Sequence, residues 1–323
     1  MSARPDVSVV IPTRDRWPLL SSYSLPSALG QEDVEVEVLV VDDGSQDGTP
    51  GRLAELDDPR VRCIRLSSSR GAAAARNEGI AAASADWVAF LDDDDLWSPR
   101  KLRAQLDALG DASWGYTGSF VVDEGLRATH VLSLAEPSSL VRALRHGTAL
   151  AAGSSAVIVR TDLLREVGGM DEELAFGYDW DLWRKLANVS TPVACPELLV
   201  ATLEHPQRSR TRNRRLLVKE TDDLIRRGGG DRDARRAAVE WIANDQFRAG
   251  NRFVAAALYL RAAIAFRSPG NVPPAIGAVF GSRGMRGASR FLSAFGEGSH
   301  LDLKRNPPLA TPDWLDRFRA RRP

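Results

Sequence analysis

Short apolar runs alternate with amphipathic stretches over the first ninety residues. Val7-Ser-Val-Val-Ile11, Val34–Val41, Val61–Leu66 and Trp87–Leu91 are rich in β-branched and aromatic residues and read as strands. Pro18–Leu29, a short stretch opened by Thr49-Pro50, and the alanine-rich Gly71–Ser84 read as the helices between them. Such alternation predicts an α/β domain with a mostly parallel, Rossmann-like sheet and helices on both faces. Further on, Ser113–Val122, Gly153–Val159 and Val193–Leu203 read as strands, and Pro137–His146, Asp162–Val167 and Phe176–Leu186 as helices. The pattern changes near His205, so residues 1–205 are expected to form one domain and 206–323 a helical region. There Arg232–Ala249 and Arg252–Phe266 read as a hairpin joined at Gly250, with Gly250, Tyr259 and Ala262 at the spacing of a tetratricopeptide unit. Its second helix carries the stripe Phe253, Ala257, Leu260 and Ile264, and the hairpin is expected to pack on the main domain.

The fourth strand ends abruptly in Asp92-Asp93-Asp94-Asp95. Adjacent acids repel one another, and folding alone does not ask for them. After them, Ser98 and Pro99 read as the N-cap and first residue of an outgoing helix with Leu102, Leu106 and Leu109 on one face. In open parallel sheets, ligands bind beyond the carboxyl ends of the strands. The first strand ends in Pro12-Thr13-Arg14 and the second in Asp42-Asp43-Gly44-Ser45, so three polar loops gather at that edge. Hard cations such as Mg²⁺ and Mn²⁺ prefer carboxylate oxygens and commonly share a site with substrate phosphates. A solvated acidic turn is the alternative for the same residues.

Charge narrows the partners. The 43 Lys and Arg balance 43 Asp and Glu, which leaves no global attraction for nucleic acid. The distribution is uneven: Pro206–Arg236 holds ten Arg and one Lys against five acids. That run is expected to be either a helix face paired with its own acids or a peripheral contact with a membrane or anionic acceptor. Cys63 and Cys195 form no metal-ligand spacing and are expected as buried thiols of a reducing compartment. With no apolar run of about 18 residues and no leader-like stretch before Val7, the expected location is cytoplasmic or at the inner membrane face.

Five motifs in order carry a family resemblance: Val7–Thr13, Val40-Val-Asp42-Asp43-Gly44-Ser45, Ala75-Arg76-Asn77-Glu78-Gly79, Phe90–Asp95 and Tyr178-Asp179-Trp180-Asp181-Leu182-Trp183. Together they resemble the inverting nucleotide-diphosphosugar glycosyltransferases of family 2, with the GT-A fold, over residues 6–205. The resemblance implies a nucleotide-sugar donor, a UDP-sugar first among them, and a glycan, lipid-linked or small-molecule acceptor. It implies that Pro12, Thr13, Arg14, Asp42, Arg76 and Asp93 bind the nucleotide. Asp94 matches the family's metal ligand for Mn²⁺ or Mg²⁺, and His205 falls where some relatives place a second metal or diphosphate contact. Asp179 matches the general base. Asp43 is expected to bond the turn amides near Gly44-Ser45, and Asp181 to form a surface ion pair with Arg184 and Lys185. Relatives commonly carry Glu where this chain has Tyr178. Against this stand a non-catalytic nucleotide-sugar scaffold and an Asp-dependent phosphatase, whose Asp-x-Asp-x-Thr/Val pattern Leu96 breaks.

Overall fold

In a computed structural model, the described residues are 4–132, 134–146, 153–205, 214–227, 229, 232–248, 250–281, 285, 288 and 310–321. The chain forms two compact units, Met1–Leu144 with Ala149–Thr211 and Asn306–Pro323, and Arg145–Thr148 with Arg212–Arg305. The C-terminal residues therefore count with the sheet rather than with the helices that precede them.

A nine-stranded sheet organises the first unit. Its strands are β1 (Val7–Thr13), β2 (Val36–Asp42), β3 (Val61–Arg65), β4 (Trp87–Phe90), β5 (Asp95–Trp97), β6 (Trp114–Val122), β7 (Ala128–Leu132), β8 (Val157–Arg160) and β9 (Val193–Leu203). Their order is β3-β2-β1-β4-β8-β6-β9-β5, with β7 on β6. The first four strands run parallel, as the alternation with helices predicts. β8 lies antiparallel to β4 and β6, and β9 parallel to β6. Alternate residues of β1 feed opposite faces. Val10 joins Leu39, Phe90, Trp114 and Trp183 in one core, while Val9 and Ile11 join Val38, Leu91 and Trp97 in the other.

The helices of this unit are α1 (Trp17–Leu19), α2 (Leu25–Leu29), α3 (Thr49–Ala54), α4 (Ala72–Ala82), α5 (Lys101–Leu109), α6 (Pro137–His146), α7 (Thr161–Glu166) and α8 (Tyr178–Val189). A π-helical stretch, Leu20–Ser24, bridges α1 and α2. α4 lies unusually close to β1, since a Cβ at Gly79 would stand 2.3 Å from Val10 Cγ1. Only glycine permits that approach, and it seats Arg76, one turn earlier, over the strand ends.

Several expectations change. Gly153–Ala156 is a 3₁₀ turn, and only Val157–Arg160 is strand. Asp95–Trp97 is a strand at the far edge, antiparallel to β9. Ser98 does not cap α5; its N–H donates to Leu199 O at 2.9 Å and fastens β5, and the helix starts at Lys101. Cys63 is exposed, because β3 is the edge strand, whereas Cys195 is buried.

The second unit holds α9 (Arg214–Arg227), α10 (Arg232–Arg248), α11 (Arg252–Ala265) and α12 (Val272–Val279). Val218, Val239, Ile242, Ala255, Tyr259, Ala262 and Ala278 form its core. The stripe Phe253, Ala257, Leu260 and Ile264 is the exposed face of α11, not its packing face. The small residues Ala255 and Ala262 pack inward instead, where the neighbouring helices approach. Residues 206–213, 228, 230 and 231 of the basic run lie outside the described residues. After them α13 (Asp316–Arg319) places Phe318, with Leu315, among Phe120, Leu126 and Leu203 of the first unit.

Candidate functional site

β1 and β2 end level, with Thr13 opposite Asp42. Asp42 is fully buried; its Oδ1 accepts the Ser45 N–H at 3.1 Å, while Oδ2 has no hydrogen-bond partner. Arg65 Nε stands 3.7 Å from that oxygen, too far for a hydrogen bond. A buried carboxylate oxygen without a donor is costly unless a ligand supplies one. Asp43 is satisfied, by Ser69 Oγ at 2.7 Å and by the N–H groups of Arg70 at 2.6 Å and Gly71 at 3.0 Å. It thus closes the loop into α4, and Asp42 takes the turn amide that was expected for Asp43. Arg14 is exposed and donates to Ser69 Oγ at 2.7 Å. Pro12 is buried in β1.

The acidic turn is no solvated loop, because Asp93, Asp94 and Asp95 are all buried. Thr13 Oγ1 donates to Asp93 Oδ2 at 2.8 Å. Arg16 Nη1 bridges Asp93 Oδ1 and Asp94 Oδ2, each at 3.0 Å. Asp94 Oδ2 also lies 3.0 Å from His205 Nε2, at the end of β9. Burial and the charge of Asp94 push the Asp93 carboxyl up to about 7, with Arg16 and Thr13 pulling the other way. Asp92 pairs with Arg76 Nη2. Asp95 opens β5. The role of Arg16 escaped the sequence reading, since a charged loop reads as solvated. The signal for it was the acid run, which needs a cation.

α8 supplies the last carboxylate. Asp179 sits in its first turn, where Oδ1 accepts the Trp180 N–H at 2.7 Å, and it forms no ion pair among the described residues. Burial pushes its pKa up; the Trp180 amide and Arg76 oppose this, and Asp92 adds to it. Arg76 is buried and faces the Tyr178 ring at 5.5 Å. Burial works against its charge, yet Asp92, Tyr178 and Asp179 hold it charged beyond its ordinary range. Asp181 is only 2% exposed, so its pairs with Arg184 at 2.7 Å and Lys185 at 2.9 Å are not on the surface. Leu182 and Trp183 on either side enter the core and draw it inward. Burial opposes its charge, but the two cations hold its pKa low. Arg70 is turned to Glu78 and Glu172, both at 2.8 Å.

One chain of contacts therefore runs from Thr13 through Asp93, Arg16 and Asp94 to His205. A second runs from Asp92 through Arg76 to the ring of Tyr178, the neighbour of Asp179 on α8. Asp42 lies at the end of the neighbouring strand.

Residues 8–160 match the model of glycosyl transferase family 2. The succinoglycan biosynthesis protein ExoO of Rhizobium meliloti (strain 1021) is 46% identical over 103 residues, 32% of this chain and 29% of that protein. WfgD of Escherichia coli, a UDP-Glc:alpha-D-GlcNAc-diphosphoundecaprenol beta-1,3-glucosyltransferase, is 36% identical over 32% of this chain and 40% of its own. The chain thus spans well under two thirds of the length of these relatives. Residues 1–349 of S. aureus TarS, solved with UDP-GlcNAc, superpose with a TM-score of 0.56 at 16% identity, covering 95% of this chain and 97% of that one. The likeness to TarS shows the fold, a mixed α/β sheet of GT-A type, with an added helical region.

Proposed function

We propose that this chain transfers a sugar from a nucleotide-diphosphosugar to an acceptor hydroxyl, with inversion at C1 and Asp179 as the general base. The observation that carries the reading is Asp179 itself, a half-buried carboxylate without an ion pair among the described residues, raised in pKa beside the strand-end loops. A base must hold back its proton affinity for the acceptor, and a salt bridge would spend it. Asp42 Oδ2 is free to accept an N–H from the base of the nucleotide, as a uracil imide offers. Asp93, fixed by Thr13, faces the ribose hydroxyls, and Pro12 and Arg14 complete that side. Arg76 holds Asp92 and Tyr178, and so sets the wall between donor and base. A UDP-sugar donor is supported by the UDP-Glc in the name of WfgD, and a surface glycan or lipid-linked acceptor by the names of WfgD and ExoO.

Asp94 and His205 are suited to Mn²⁺ or Mg²⁺, a buried carboxylate and an imidazole 3.0 Å apart. No cluster of three or more His, Cys, Asp or Glu joins them among the described residues. Diphosphate oxygens and water would complete the shell, as is common for such ions. When bound, the ion would neutralise the diphosphate as it leaves C1. Arg16 shares Asp94 Oδ2 and competes for that place.

Thermal shift across a panel of nucleotide sugars, with Mn²⁺ or EDTA, tests the donor. Anomeric analysis of the transferred sugar tests the reaction. Stabilisation by UDP-sugars followed by transfer with inversion is expected. Retention of configuration would remove Asp179 from its role, and binding without turnover would favour a scaffold.

A further inference from the structure

The second unit carries a surface that sugar transfer does not use. α11 buries Ala255, Leu258, Tyr259 and Ala262 and turns Phe253, Leu260 and Ile264 outward. α12 buries Pro274, Ala275 and Ala278 and turns Val272, Ile276, Val279 and Phe280 outward. Phe253, Ile264 and Phe280 are 77%, 70% and 71% exposed. Each outward set keeps helical spacing, so each helix shows one apolar stripe, and the two helices share one core. Soluble surfaces rarely leave so large an apolar patch without a partner.

Charge selects that partner. From Gln246 to Gly296 the sequence holds seven Arg and no Asp or Glu. Of these, Arg252, Arg261 and Arg267 are exposed on α11 and the turn after it. A second copy would set this face against itself, with arginines opposite arginines and no carboxylate between them. An anionic bilayer offers what the face lacks, phosphates at the level of the arginines and acyl chains beneath. In-plane amphipathic helices use that setting. No helix among the described residues is long and apolar enough to cross a membrane. Three arginines of α9 and α10 are held by acids of those same helices. Arg226 and Arg235 pair with Asp222, and Arg236 pairs with Asp233 and Glu240.

We propose that the α11–α12 pair docks in the plane of an anionic lipid surface, its apolar stripes entering the acyl boundary and its arginines meeting the headgroups. Flotation of the full chain tests this, with vesicles of phosphatidylcholine alone or with about 30 mol% phosphatidylglycerol. The chain should float with the anionic vesicles only. Phe253→Ser, Ile264→Ser and Phe280→Ser combined should lower the bound fraction about tenfold or more with unchanged melting. Val189→Ser, at an exposed apolar position of the first unit, should change nothing. Arg252→Gln with Arg261→Gln should erase the preference for anionic vesicles. The proposal fails if the chain stays unbound with anionic vesicles, or if the triple variant floats like the parent. It also fails if the triple variant turns a dimer into a monomer in sedimentation velocity while neither binds vesicles, for then a second copy covers the face.

Discussion

The turn after β4 and the first turn of α8 both draw carboxylates at least partly out of solvent, but only α8 leaves one of them without an ion pair among the described residues. Asp92, Asp93 and Asp94 each hold a cationic or imidazole partner, Arg76, Arg16 or His205. On α8, Asp181 holds two cations, and Asp179, two residues away, holds none among the described residues. Paired acids keep their shape and present oxygens to a ligand. A half-buried acid without an ion pair among the described residues keeps its appetite for a proton. Asp93, though paired, keeps some of it because Asp94 stands beside it. Position along one helical turn thus separates a structural aspartate from one suited to chemistry.

The largest test of that contrast is Asp179→Asn. Transfer should fall by about 10³-fold, within the usual range for a general base. Donor binding and melting temperature should hold, since the amide removes a half-buried charge; equal loss of donor affinity would break the contrast. Asp94→Ala should lower transfer by about 10²-fold and remove any dependence on added Mn²⁺, as read in EDTA titrations. Arg76→Gln should cost about 2 kcal/mol of stability by chemical denaturation, because a buried guanidinium pair is lost. It should also shift the pH profile. As the proposed base, Asp179 would act only when deprotonated, and desolvation already raises it above its ordinary 3.8. The acid limb of kcat/KM should therefore lie above the usual aspartate range. Losing Arg76, which pulls the pKa down, should move the limb to still higher pH. The smallest effect on rate belongs to Asp181→Asn, within about twofold. Its effect is on stability, about 1–2 kcal/mol at neutral pH. A folded pKa held low stabilises above the unfolded value, so this difference should close as pH falls through the acidic range.

The parallel half of the sheet was legible because β1, β2 and β4 are compact apolar runs buried on both faces. β5 was not, because Asp95-Leu-Trp97 begins with a charge and Ser98-Pro99 looks like a helix start. Its strand character comes wholly from β9, more than ninety residues on. Asp42, Asp93, Asp94, Asp179 and His205 could be named from motif and spacing, and the structure puts them at the strand ends and the start of α8. Arg16 could not, since nothing local distinguishes it from Arg14. The stripe of α11 was legible, but the side it faces was not. Periodicity finds a stripe but not the side that neighbours cover, and alanines serve as the buried face here.

The far-edge position of β5 has a kinetic meaning. The acidic turn is tethered on one side to β4 in the middle of the sheet and on the other to β5 at its margin, past β8, β6 and β9. β1 to β4 can assemble as soon as they leave the ribosome, but β5 has no partner until β9 is made. Non-local pairings of this kind close late. During synthesis Arg76, Thr13 and Arg16 can meet Asp92, Asp93 and Asp94 once β4 is made. Asp95 and the strand it opens wait for β9, and His205, just beyond β9, reaches Asp94 only then. Donor-binding competence should appear abruptly with β9 rather than grow with chain length.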